Sequence, residues 1–142
     1  MIYTTETKKA IKLAFKAHEG QFDKSGLPYV LHPIHLAEQM EDEDTTVAAL
    51  LHDVVEDSAM TFDDLIKEGF NEEIINALRL LTHKEDVPYM EYVKDIKKNE
   101  TAKKVKLADL KHNSDLSRLD VVDDWALKRN DKYQEAIHFL EK

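Results

Sequence analysis

The chain contains no cysteine. That excludes disulfides, a thiolate zinc cage and a thiol nucleophile, so any metal must be held by histidine, carboxylate and carbonyl ligands. Only three glycines and three prolines occur among 142 residues, which leaves few punctuating turns and little room for strands. Positive charge is also short, with 20 Lys and Arg against 29 Asp and Glu and a formal net charge of -9. A protein that grips a phosphate backbone needs a clustered basic face to displace counterions, so no nucleic-acid partner is expected. A small anionic ligand would need a local cation, and that cation can be a metal. No apolar run approaches the roughly 20 residues that cross a bilayer. The opening MIYTTETKKA also lacks the apolar stretch of a secretory signal. No membrane partner is expected, and the cytoplasm is the expected setting.

What is present suits one globular domain. Apolar residues make up 42% of the chain, enough to bury a core, and charged residues make up 35%, enough to coat it. The expected architecture is all-α, one domain over residues 1–142 with a core over about 5–120 and a last helix over about 124–140. Apolar positions recur at three and four. A first helix starts after Thr4 or Thr5 and runs to about His18, with Gly20 as its stop. An ordered loop over 21–33 carries Gly26, Pro28 and Pro33 and feeds a short helix ending at Met40. Asp44 is the expected cap of a central helix over 45–56, whose run Val47, Ala48, Ala49, Leu50, Leu51 reads as buried on most sides. Further helices are expected between Thr61 and Gly69, after Asn71, from Pro88 to Lys98 and after Thr101. In the last helix, Trp125, Tyr133, Ile137 and Leu140 read as core-facing. Lys103, Lys104 and Lys106 read as a solvated face, and helical rotation is expected to turn His112, beside Asn113, elsewhere than towards a bound phosphate.

The informative stretch is AALLHDVVED at 48–57, which sets His52, Asp53, Glu56 and Asp57 directly after the apolar run. Crowded carboxylates repel unless they stay in water, take up protons or share a cation. Two other segments offer hard ligands: His32, in YVLHP at a loop-to-helix junction, and Asp109, an acid in an apolar helical stretch. With His52 and Asp53 they make a set of two imidazoles and two carboxylates. Such mixed ligation suits Mn2+, Fe2+ or a similar octahedral ion, with manganese the first choice. A divalent ion acidifies its water and polarises a phosphoryl oxygen, and Glu56 and Asp57 are placed to orient that water and move protons.

Five segments, AHEGQFDKSGLPYVLHP at 17–33, AALLHDVVED at 48–57, the stretch from Thr61 to Phe70, LLTH at 80–83 and VKLADLKHN at 105–113, are similar to blocks of one family. The chain resembles the HD superfamily of metal-dependent phosphohydrolases, and more closely the hydrolase domain of the RelA/SpoT alarmone enzymes. The resemblance implies an HD-type helical bundle in which His32, His52, Asp53 and Asp109 hold the metal. It implies that Glu56 and Asp57 are the catalytic acidic pair, that Lys24 lies near the base of a bound nucleotide and that Asn113 lies near its sugar. The implied reaction removes pyrophosphate from the 3′ position of a guanosine tetraphosphate or pentaphosphate with Mn2+. Two departures bear on the substrate. Asp23 stands where the family usually carries Arg before the lysine, and Ser114, Asp115 and Leu116 stand where it carries Met-Arg-Thr. Another nucleotide, such as a deoxynucleoside monophosphate, is therefore an alternative substrate, and a non-catalytic nucleotide sensor is an alternative function. With room for one domain, the chain is similar to the short stand-alone alarmone hydrolases. No oligomeric state is implied.

Overall fold

The computed structural model describes residues 1–142. Nine α-helices follow in order: α1 Thr5–Ala17, α2 Leu31–Glu38, α3 Glu43–Leu51, α4 Val54–Asp57, α5 Phe62–Lys67, α6 Glu72–Leu81, α7 Tyr89–Lys97, α8 Glu100–Asn113 and α9 Asp124–Glu141. The all-α expectation holds; the one piece of extended pairing is an isolated antiparallel bridge between Phe22 and Pro28. That bridge closes the loop after α1, where Asp23 accepts from the backbone N–H groups of Ser25 and Leu27 at 2.9 and 3.0 Å. Gly26 turns the loop with a φ of 80°, a left-handed conformation that side chains disfavour. The returning chain delivers Tyr29 and His32 to the start of α2.

Helix starts follow from short polar side chains that satisfy the free N–H groups of a first turn. Thr4 and Thr7 bond reciprocally at α1, and Thr61 and Asp64 do the same at α5. Asn71 caps α6 and Asp123 caps α9. Two caps differ from the sequence expectation. Asp42, not Asp44, caps α3 by accepting from Thr45 N–H at 2.8 Å, and Asn99, not Thr101, caps α8 through Ala102 N–H at 2.9 Å. In both places the favoured cap type occurs twice within three residues, and either choice starts a helix.

Helix α3 is the centre of the molecule and packs against α1, α2, α6 and α8. Every residue from Thr45 to Leu51 is buried, as its unbroken apolar run requires. Leu50 and Leu51 share the core with Leu36, Leu78 and Leu110. The helix stops short of the expected 45–56 span: Asp53 sits at φ -108° and ψ 0°, in the sparsely populated bridge region, before α4 resumes. The break comes where the apolar run meets the acidic cluster. Its effect is to place His52 at the end of one helix and Asp53 at the start of the next.

The long helix α8 lies against α2, α3 and α9. Helix α9 buries Ala126, Ala136 and Leu140, while Trp125, expected in the core, is 59% exposed. The Trp125 ring instead meets Lys24 Nζ at 3.8 Å and the Arg129 guanidinium at 4.5 Å.

Candidate metal centre

Four side chains that are far apart in sequence meet where α2, the α3–α4 break and α8 converge. His32 Nε2 is 2.8 Å from Asp109 Oδ1. His52 Nε2 is 2.9 Å from Asp53 Oδ2 and 3.5 Å from Asp109 Oδ1. His32, His52 and Asp109 are all buried, and their ligand atoms fall within 4.8 Å of one another. Asp53 closes the set from a side chain 17% exposed.

The ring of His52 carries the test of whether a cation fits. Its Nδ1–H donates to the Ala49 carbonyl at 2.6 Å, so in the neutral ring Nε2 holds a lone pair. That buried Nε2 has no hydrogen-bond partner of proper geometry, yet faces two carboxylate oxygens. Acceptors packed together need a proton or a cation between them. Without a cation, burial disfavours charge on the ring, but Asp53 and Asp109 outweigh it and hold the His52 pKa well above its usual value. A divalent ion in place of that proton suits the two-nitrogen, two-carboxylate donor set.

Neighbours fix the orientation of these side chains. Tyr29 donates its hydroxyl hydrogen to Asp53 Oδ2. Lys106 Nζ lies 2.9 Å from Asp109 Oδ2, and Asn113 Nδ2 donates to Asp109 Oδ1 at 3.0 Å. Burial raises the cost of charge on Asp109, but Lys106, His32 and His52 more than offset it and hold its carboxyl well below the usual range. Lys106 is thus no solvated helix face; its side chain is 13% exposed and sits 5.1 Å from the Tyr92 ring centre. His112 Nδ1 lies 2.7 Å from His32 Nδ1. Burial, with Arg118 and the neighbouring histidines as further opposing charges, pushes the His112 ring down to about 4.

Glu56 and Asp57 stand on α4, one turn beyond Asp53, at the rim of the cluster. Glu56 Oε1 accepts from the backbone N–H of His83 at 2.6 Å, which ties α4 to the end of α6. Partial burial raises its carboxyl above the usual value, opposed by that N–H and reinforced by Asp53 and Asp57. Asp57 is raised too, by burial and then by Asp53.

An HD domain model matches residues 10–113 of the chain. The chain belongs to the HD domain family. Among its relatives, a guanosine-3′,5′-bis(diphosphate) 3′-pyrophosphohydrolase of Borreliella burgdorferi is 35% identical over 122 residues, covering 74% of this chain and 18% of that protein. The bifunctional (p)ppGpp synthase/hydrolase SpoT of Escherichia coli is 47% identical over 62 residues, 41% of this chain and 9% of its own length. The chain therefore spans less than a fifth of these curated relatives. A solved structure of a metazoan SpoT ortholog, described as hydrolysing ppGpp, superposes with a TM-score of 0.76 at 24% identity, over 99% of this chain and 87% of that one. At that identity the likeness establishes the shared fold.

Beside the His32, His52, Asp53 and Asp109 cluster, this HD domain opens a cavity of about 270 Å³ that includes His32 in its wall. Lys24 and Asn113 line the same cavity, so the structure brings both expected nucleotide contacts to the cluster. Arg118 and Arg129 line it as well. Sequence reasoning passed over both arginines, since they lie outside the matching blocks and reach the cavity only through packing of the chain after α8. Arg118 Nη2 lies 3.9 Å from Asp23 Oδ2, so the acid at position 23 stands against a cation. A larger cavity of about 570 Å³, lined by Arg79, His83 and Tyr92 among others, contains none of the four clustered ligands. The smaller one adjoins the cluster through His32.

Proposed function

We propose that this HD domain is a metal-dependent phosphohydrolase that releases pyrophosphate from the 3′ position of a guanosine tetraphosphate or pentaphosphate, with Mn2+ as its metal. The observation that carries the reading is the meeting of His32, His52, Asp53 and Asp109 beside a cavity that has His32 in its wall and is also lined by Lys24 and Asn113. The four would bind the ion, and mixed nitrogen and oxygen donors favour manganese over magnesium. When bound, the ion supplies Lewis acidity towards water and a phosphoryl oxygen. Glu56 and Asp57 would orient the attacking water and carry its proton, a task suited to carboxyls whose pKa is raised towards neutrality. Lys24 and its partner ring Trp125 would flank the base, while Asn113, its Nδ2 already committed to Asp109, offers its oxygen to the sugar. The absence of cysteine and a nucleotide substrate both favour a cytoplasmic setting.

Asp23 supports a second substrate, because it puts a carboxylate where a purine-holding cation is usual. Assay of the chain with Mn2+ against guanosine tetraphosphate and a set of nucleotides, including deoxynucleoside monophosphates, separates the readings. The expected result is 3′-pyrophosphate release that stops on chelation. Turnover of another nucleotide alone overturns the substrate assignment, and tight binding without turnover of any nucleotide replaces the enzyme with a sensor.

A further inference from the structure

We propose that His112 is a positioning residue: its Nδ1 accepts the Nδ1–H of His32 and so keeps the Nε2 lone pair of His32 turned to the ion. The inference rests on the metal-centre reading above. Two ring nitrogens 2.7 Å apart must share one hydrogen, so one ring donates and the other accepts. His32 Nε2 is the atom that faces Asp109 Oδ1, at 2.8 Å. A ring that gives Nε2 to a metal carries its hydrogen on Nδ1, which makes His32 the donor and His112 the acceptor.

The acceptor is held in place on three sides. The His112 and His32 rings lie 4° from parallel, which aligns the Nδ1–H of one with the lone pair of the other. His35 stacks on His112 with ring centres 4.1 Å apart. Arg118 donates to the His112 carbonyl at 2.8 Å and fixes the end of α8. His112 and Asp109 stand three residues apart on α8, so one helix face supplies both a ligand and the group that orients a second ligand.

Co2+ titration of the wild-type chain, His112→Phe and His112→Asn, followed by visible absorption, tests the assignment. Phenylalanine keeps a ring to stack on His35 but accepts nothing, whereas the asparagine oxygen falls close to the place of Nδ1. The expected outcome is Co2+ binding weakened about 10- to 100-fold in His112→Phe and largely restored in His112→Asn. Unchanged binding in His112→Phe, or equal weakening in both variants, overturns the proposal. Should His112→Phe not fold, imidazole nitrogen–proton correlations on the zinc-loaded wild-type chain decide. A protonated Nδ1 on His32 with an unprotonated Nδ1 on His112 supports the proposal, and the reverse overturns it. Failure of the wild-type chain to bind Co2+ or zinc would instead sink the metal-centre reading itself, and this inference with it.

Discussion

Lys106 Nζ and Asp109 Oδ2 form an ion pair at 2.9 Å from side chains 13% and 7% exposed. The pair occupies one oxygen of Asp109 and leaves Oδ1 to His32 and His52. Replacing Lys106 with Met should strand a buried carboxylate and cost about 3 kcal/mol of stability. Urea unfolding of the metal-free chain measures it; a loss below about 1 kcal/mol, as at an exposed pair, would show the contact to be incidental.

Asp53 joins the cluster from the break between α3 and α4, and its loss should separate folding from function. Asp53→Ala is expected to keep the helical circular dichroism spectrum while losing turnover. In the wild-type chain, free Mn2+ at 100 times its Kd should add about 2.7 kcal/mol to the stability of the fold. The variant should show almost none of that gain in a thermal shift series. An equal gain in both proteins would place the ion elsewhere.

Glu56 offers a prediction in pH. Its folded-state carboxyl is raised above the ordinary 4.5, chiefly by burial, so ionising it near neutrality costs the folded state stability. Glu56→Gln removes that cost, and the Gln oxygen can still accept the His83 N–H. The variant should melt at a higher temperature at pH 7. The advantage should vanish below pH 4.5, where the carboxyl is protonated both folded and unfolded. Turnover should fall about 100-fold or more if Glu56 moves a proton in the reaction. In the wild-type chain, the acid limb of the rate profile should lie above the range of ordinary carboxylates. A variant that loses stability at pH 7, or keeps its rate, contradicts this role.

Core packing around α3 positions His52 at its end. Leu50 is fully buried two residues before His52. Leu50→Ala should cost about 2 to 5 kcal/mol. The midpoint of denaturant unfolding should fall accordingly, and Mn2+ should recover part of the loss. A cost under about 1 kcal/mol would mean that α3 is not the central element described here.

Much of the fold was legible because capping residues and three-and-four spacing are local signals. Thr4, Thr61, Asn71 and the run from Val47 to Leu51 act as their types suggest. The break at Asp53 was not legible, since helix propensity continues through it and the competing demand comes from Tyr29, His52 and Asp109 in space. Trp125 misled because an aromatic at helical spacing usually packs inward, whereas here Lys24 and Arg129 meet it at the surface. Lys106 and His112 did carry a signal. Both stand three residues from Asp109, on the face that Asp109 turns inward, and Asn113 stands four away. Rotation of about 100° per residue separates His112 from Asn113 without removing either from that face.

Diffraction at the manganese absorption edge, from crystals grown with Mn2+, tests the central claim most directly. The expected result is a single strong anomalous peak in coordination contact with His32, His52, Asp53 and Asp109. A peak elsewhere, or none at saturating Mn2+, would contradict the metal centre and the hydrolase built on it.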